Sequence, residues 1–387
     1  MSGVALVGTF ASSVFTPGIE PTASEFGSPV EIATLAFSIY QLGLAFGGPF
    51  AAPLSESFGR KPVVFISLPI FALFILGTGF AKNMATLVVL RFFAGFFAAP
   101  SLSMGSGTLS DLWQPEKRSG PMSLYVAAPF FGAKKNGQCL PPSPLEGATW
   151  AKALKTYVSK TLTRPMHMLL TEPIVTAFNT YSAFNFGLLY AFFAAFPQVY
   201  LEYYGFDSLS TGLTFLGVGV GVIAATIAIV LFSKKWYLPH VREAVRNDEP
   251  VPTFATSRLE PEKRLPLAMV GGPCITIGLF LIHWIAPVFG EALFGFGNML
   301  VFMACMMYIT DTYGPLYSAS AMASNAILRY ILGGTFPLFA VQMFRGLGPQ
   351  WACTLLGCLS ILGACVPFML AKFGPGLRKR SGYKRDS

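Results

Sequence analysis

The chain has 387 residues, length enough for two or three soluble domains, yet 53% of them are hydrophobic and 12% charged, about half the charged share of a soluble protein. That balance excludes a soluble enzyme. The net charge of +9 does not mark a nucleic-acid binder, because the basic residues lie between apolar segments and in the tail, where they orient membrane proteins.

A hydrocarbon core about 30 Å thick needs roughly 20 helical residues. Segments that reach or approach that length are 4–19, 30–52, 62–81, 85–110, 174–200, 209–232, 265–285, 286–309, 318–341 and 351–373. The first is marginal and lacks the basic start of a signal peptide. The Gly and Pro inside the segments are tolerated in membrane helices, and the runs are too long and too uniform for barrel strands. An eleventh segment, 119–133, stops short: about 15 residues rising about 1.5 Å each reach only about 22 Å. The polar stretch 134–171 follows it. The predicted organisation is an incomplete helix bundle over 1–133, a cytosolic linker over 134–171, a six-helix bundle over 172–373 with a cytosolic connection at 233–264, and a basic tail over 374–387.

Basic residues recur at Arg60 and Lys61, Lys117 and Arg118, through 134–171, through 233–264 and in the tail, whereas the opposite connections carry Lys82 and Arg345 and little else. Positive-inside bias therefore predicts both termini in the cytosol. Segment 119–133 then joins two cytosolic stretches and cannot cross once. It dips in and returns, lies at the interface, or overrides the charge bias.

Several motifs carry chemistry. Ala52-Pro53-Leu54-Ser55-Glu56-Ser57-Phe58-Gly59-Arg60-Lys61 links the second and third segments. It resembles the cytosolic loop signature of the major facilitator superfamily, with Glu56 at the acidic position, Gly59 at the turn and Arg60 and Lys61 as the basic pair. Ala52 and Ser57 depart from the pattern. An acid there can sit at the positive N-terminus of a facing helix and hold a gate shut, and the resemblance makes Asp111 and Arg118 its partners. The plain alternative is an ordinary positive-inside loop. Arg91 lies inside the fourth segment with Gly95 four residues on, similar to the superfamily's Arg-x-x-x-Gly pattern. An arginine within a membrane helix is a functional candidate, and the resemblance implies a part in proton coupling; the alternative is a snorkelling side chain.

Leu124 to Gly132 resembles the start of the fifth span of proton-driven drug exporters, but the Gly-Pro repeat that should follow Gly132 is absent. The break belongs either to a shortened variant or to a gene reading that omits coding sequence. Asp311 to Asn325, Arg329 and Phe336-Pro337-Leu338-Phe339 are similar to fungal twelve-span drug–proton antiporters of the multidrug and polyamine branch. Glu260 to Leu265 and Gly348 to Ala352 fit the same branch. Asn325 and Arg329 share a helix face, as do Tyr181 and Asn185. With Asn179 they are the candidate lining of a cavity for small organic molecules, cationic or amphipathic; the alternative is helix packing. Glu20 is a weaker proton-site candidate, better read as an exposed acid at a helix end.

The resemblance implies an all-α major facilitator fold with an incomplete first bundle, and a monomeric exporter of drugs, toxins or polyamines. Export would run by alternating access driven by a proton gradient, with no cofactor and no metal. It places the chain in the plasma membrane rather than the vacuole. A non-transporting remnant or a membrane sensor is the alternative. No catalytic or metal-ligand spacing occurs, and His167, His240 and His283 are scattered.

Overall fold

The computed structural model describes residues 8, 11–58, 60–112, 163–247, 260–284 and 287–383. Among these there are helices and turns and no strand. In chain order the helices are α1 (Ile19–Glu25), α2 (Val30–Phe58), α3 (Arg60–Gly79), α4 (Met84–Leu112), α5 (Arg164–Thr171), α6 (Pro173–Tyr204), α7 (Ser208–Thr214), α8 (Leu216–Phe232), α9 (Leu238–Arg246), α10 (Leu265–Trp284), α11 (Pro287–Leu347) and α12 (Pro349–Arg380). Eight stretches among the described residues are long and apolar enough to cross a bilayer, and Met84–Pro100 is a shorter apolar helix. The expected segment 119–133 and the break after Gly132 lie outside the described residues.

Local chemistry sets the boundaries. Pro173, Pro287 and Pro349 open α6, α11 and α12, where a missing N–H costs nothing. Gly205, at φ 64°, closes α6 in the left-handed conformation. Asp207 then caps α7 by accepting from the Ser210 N–H at 3.1 Å.

α11 holds two crossings, not one. The Asn325 amide lies 3.7 Å from the Cys305 sulfur, and the Arg329 guanidinium lies 4.5 Å from the Phe302 ring. Twenty residues of straight helix would separate such partners by about 30 Å. The chain therefore doubles back near residue 315, between the spans Pro287–Tyr313 and Ser320–Leu347. This matches the two segments expected at 286–309 and 318–341.

α2, α3 and α4 pack together, and α6, α8, α10, α11 and α12 form a second bundle; α2 and α11 join the two. One end, here the base, carries Phe58, Leu112, Pro173, Leu265 and Tyr313. The other, the top, carries Val30, Met84, Tyr204, Pro287 and Leu347. By the charge pattern the base is the expected cytosolic end. Close helix contact rests on glycine. A methyl added at Gly95 would overlap the Tyr40 carbonyl oxygen, and at Gly43 or Gly47 those of Phe92 or Phe96. In the second bundle Gly221 meets Ala292 of α11 in the same way. Phe65 on α3 and Phe80 just after it are 80% and 81% exposed, which only a lipid surround or further protein would cover.

Three stretches expected as connections are partly helical. The end of the expected linker forms α5, the connection 233–264 contains α9, and α12 runs on through the start of the expected tail to Arg380.

Candidate functional site

The interface between the bundles is polar and aromatic at mid-depth. Gln41 on α2 donates to the Ser12 hydroxyl at 2.6 Å. Ser12 in turn lies 3.1 Å from the Tyr190 hydroxyl on α6, so a hydrogen-bonded chain crosses from one bundle to the other. The Tyr40 hydroxyl donates to the Gly8 carbonyl at 2.7 Å. Above this level the bundles close on an apolar cluster that includes Ile19, Phe37, Leu87, Ala194 and Val341. Below it, Tyr40, Leu44 and Ala45 pack with Tyr330, Phe186 and Ala326.

Two buried arginines flank that cluster, one from each bundle. Arg91 is 4% exposed. It donates to the Ala11 carbonyl at 3.0 Å and stacks 3.9 Å from the centre of the Phe15 ring, while its Nε has no partner. It points into the bundle and does not snorkel. Gly95, one turn on, is the contact that brings α4 against Tyr40. Arg329 is 8% exposed and sits among three rings, Phe186, Phe302 and Tyr330, at 4.9, 4.5 and 5.0 Å. Its Nε is also unpartnered. Among the described residues neither arginine has a carboxylate within ion-pair reach.

The other candidates separate into two groups. Asn179 and Asn325 meet: the Asn325 amide donates to the Asn179 carbonyl oxygen at 3.0 Å, and the Asn179 amide donates to the Ser324 hydroxyl at 2.9 Å. Arg329 lies one turn above Asn325. Tyr181 instead packs between α10 and α12, where methyls added at Gly272 or Gly363 would meet its ring or hydroxyl. It faces away from the first bundle. Asn185 is buried with both amide atoms unpartnered, and its backbone carbonyl accepts from Asn298 at 3.0 Å. The structure therefore brings Asn179, Asn325 and Arg329 together and leaves Tyr181 apart.

The expected gate residues Gly59 and Arg118 lie outside the described residues, as do the side chains of Glu56, Arg60, Lys61 and Asp111. A charge cluster that the sequence did not single out occupies the base of the second bundle. Arg264 and Asp311 form a buried ion pair at 3.1 Å, and Arg264 stacks 3.4 Å from the centre of the Tyr237 ring. Glu262 pairs with Arg378. Glu172 accepts from the Tyr313 hydroxyl and the Gly382 N–H, each at 3.1 Å. Arg264 follows the second crossing of its bundle and Asp311 ends the next crossing but one, the places that Glu56 and Asp111 hold in the first. That repeat of position was the signal available in the sequence. Glu291, buried on α11 with Tyr200 donating to it at 2.6 Å, was also missed. One acid in a long apolar run was the available clue.

The family model for the Major Facilitator Superfamily matches residues 1–133. The chain is similar to the MFS-type efflux pump MFS2 of Trichophyton rubrum, 33% identical over 440 residues, covering 97% of this chain and 71% of the relative. It is similar to polyamine transporter 4 of Saccharomyces cerevisiae at 31% identity, covering 98% and 68%. It is also similar to the major facilitator superfamily multidrug transporter mdrA of Aspergillus fumigatus at 33% identity, covering 97% and 70%. Among solved structures, the proton:xylose symporter XylE superposes with a TM-score of 0.64 at 15% identity, covering 96% of this chain and 94% of that one. The human organic anion transporter MFSD10 superposes at 0.59 and 16% identity, covering 95% of each. These two likenesses are of fold.

Proposed function

The chain belongs to the major facilitator superfamily, whose members are multi-pass membrane transporters of small molecules rather than enzymes, and on that premise we propose that it exports small organic molecules in exchange for protons. The observation that carries the reading is the polar and aromatic interface, with one buried arginine from each bundle that has no carboxylate in reach among the described residues, in a chain similar over nearly its whole length to an efflux pump and a multidrug transporter. The two bundles rock about this site so that it faces each side of the membrane in turn. Asn179, Asn325 and Arg329 contact the substrate. Arg91 responds to protonation through its link to Ala11 and Phe15. Glu56, Gly59, Arg60, Lys61, Asp111 and Arg118 close the base. Of the substrate types the sequence suggests, an amphipathic one suits the site better than a polycation, since the two charged side chains described at the interface, Arg91 and Arg329, are both guanidinium cations. The proton gradient supplies the energy, no cofactor takes part, and the protein works as a monomer in the plasma membrane with both termini in the cytosol.

A second reading is a chain that no longer transports. Its alignment to the Trichophyton pump runs over 440 residues, more than the 387 present, so the relative carries residues with no counterpart here. A lost fifth and sixth crossing would leave packing faces bare. The test is accumulation of a fluorescent amphipathic dye in cells that express the chain. Export predicts lower accumulation, restored when the proton gradient is collapsed. Accumulation equal to that of cells without the chain supports the second reading.

A further inference from the structure

Glu291 lies one turn inside the top end of α11, within the crossing Pro287–Tyr313, and is 1% exposed. The Tyr200 hydroxyl, on the last turn of α6, donates to its Oε1 at 2.6 Å. Its Oε2 has no partner, and among the described residues no cation reaches it. Tyr200 is held by stacking on Phe206, ring centres 5.6 Å apart and nearly parallel. On the far side α8 presents Gly217, where even an added methyl would lie 3.4 Å from the Glu291 Cβ. The carboxyl is therefore closed in by α6, α8 and α11 as the top end packs.

An ionised carboxylate in this place would keep one hydrogen bond and, among the described residues, no counter-charge, in a span where charge is costly. As a neutral acid it keeps the Tyr200 bond on Oε1 and carries its proton on Oε2. Facing it from α6 is Tyr200. α8 brings no charged side chain; Glu202 on α6 and His283 on α10 lie at this end with side chains outside the described residues. Asp207 beyond α6 and Arg345 at the end of α11 are exposed.

We propose that Glu291 is a proton-binding latch of the top end. It takes a proton from water as α6, α8 and α11 close around it and returns that proton to water as they separate. Acid at the top face then favours the closed top. If that face is the outer one, closure after release of cargo is drawn on by the outside proton. The proposal rests on proton-coupled export for its role in the cycle, but the protonation state of Glu291 does not.

The test uses the full chain in lipid nanodiscs. Infrared spectra at neutral pH are compared for the wild type and Glu291→Gln. The expected result is a protonated-carboxyl carbonyl band in the wild type that Glu291→Gln removes. A difference spectrum containing only ionised-carboxylate bands overturns the proposal. Should Glu291→Gln not fold, a pH titration of the wild type against Tyr200→Phe decides the matter. Tyr200 favours the ionised form, so its loss should move the band's midpoint to higher pH, and an unmoved midpoint overturns the latch. In proteoliposomes, acid at the top face should speed wild-type and Glu291→Asp transport, while Glu291→Gln should exchange substrate at an unchanged rate whatever that pH. A Glu291→Gln response equal to wild type overturns the latch. Absence of any wild-type transport sinks the export reading instead, and the infrared band then still decides the state of Glu291.

Discussion

Arg329 and Arg91 are both buried and, among the described residues, both lack a carboxylate, yet they should respond oppositely to removal. Arg329 has a cage of three rings and one long contact to the neighbouring Tyr330 hydroxyl at 3.4 Å. Cation–π contact is worth about 0.5–2 kcal/mol, and a group without its counter-charge pays a desolvation cost of the same order or more. Arg329→Met should therefore leave thermal stability unchanged or raised and lower export at least tenfold, as read by unfolding temperature and dye efflux. Arg91 holds the first segment by its bond to Ala11, and a charged hydrogen bond contributes about 1.5–3 kcal/mol. Arg91→Met should lower stability by about that amount as well as transport. A loss of stability at Arg329 would return that residue to the packing role the sequence also allowed. Both arginines were legible in the sequence because charge inside a long apolar run is conspicuous. Tyr181 was misplaced because a shared helix face does not say which neighbour the face meets. In a helix surrounded by other helices every direction is interior, and only Gly272 and Gly363 reveal the one taken. Asp207 sits outside the membrane spans. Hydrogen bonds from the Ser210 side chain and backbone N–H hold its carboxyl below the usual range. Its contribution is thus fully present above the ordinary carboxylate pKa and is lost as pH falls through the lower folded value. Exchange of the Ser210 amide, corrected for its intrinsic pH dependence, should rise only below the usual Asp titration range.

At the scale of helices, length and hydropathy located the crossings among the described residues to within a few residues, since bilayer thickness fixes both. Which crossings touch was not legible, and small residues decide it. Gly43, Gly47 and Gly95 bring α2 and α4 to backbone contact. Gly95→Leu must push α4 off Tyr40 and carry Arg91 with it. Overpacking of this kind costs typically about 1–3 kcal/mol, and the unfolding temperature in detergent should fall. Gly79, with nothing near a methyl added to it, should accept Ala without loss and serves as the control. At the base, the Arg264–Asp311 pair ties the start of α10 to the end of the first crossing of α11. Removing one partner of a buried pair costs about 3–5 kcal/mol, so Asp311→Asn should destabilise the second bundle far more than Gly95→Leu disturbs it. Hydrogen exchange in α10 and α12, resolved by mass, would read that bundle separately. The sequence marked Asp311 and Arg264 only as parts of two separate patterns, because their meeting depends on the reversal near residue 315.

For the whole molecule, the top of the inter-bundle interface is packed, with Phe37, Leu87, Ala194 and Val341 in one apolar cluster and the Gln41–Ser12–Tyr190 chain beneath it. Rocking of two rigid bundles requires this surface to part once in each cycle. One close backbone approach across it lies where a methyl added at Gly334 on α11 would stand 3.0 Å from the Ser38 carbonyl oxygen on α2. Cysteines placed at both positions and joined by a short bifunctional thiol reagent should hold the bundles together there, stop efflux and leave the unfolding temperature unchanged or higher. Reduction of a cleavable reagent should restore efflux. Each single cysteine treated with the same reagent should transport as before, apart from the bulk it adds. If the joined protein exports at the untreated rate, the α2–α11 surface does not part, and substrate must move by a path inside one bundle. The two outcomes separate a rocking transporter from a fixed one without knowledge of the substrate, because the contact being locked belongs to the scaffold and not to the cargo.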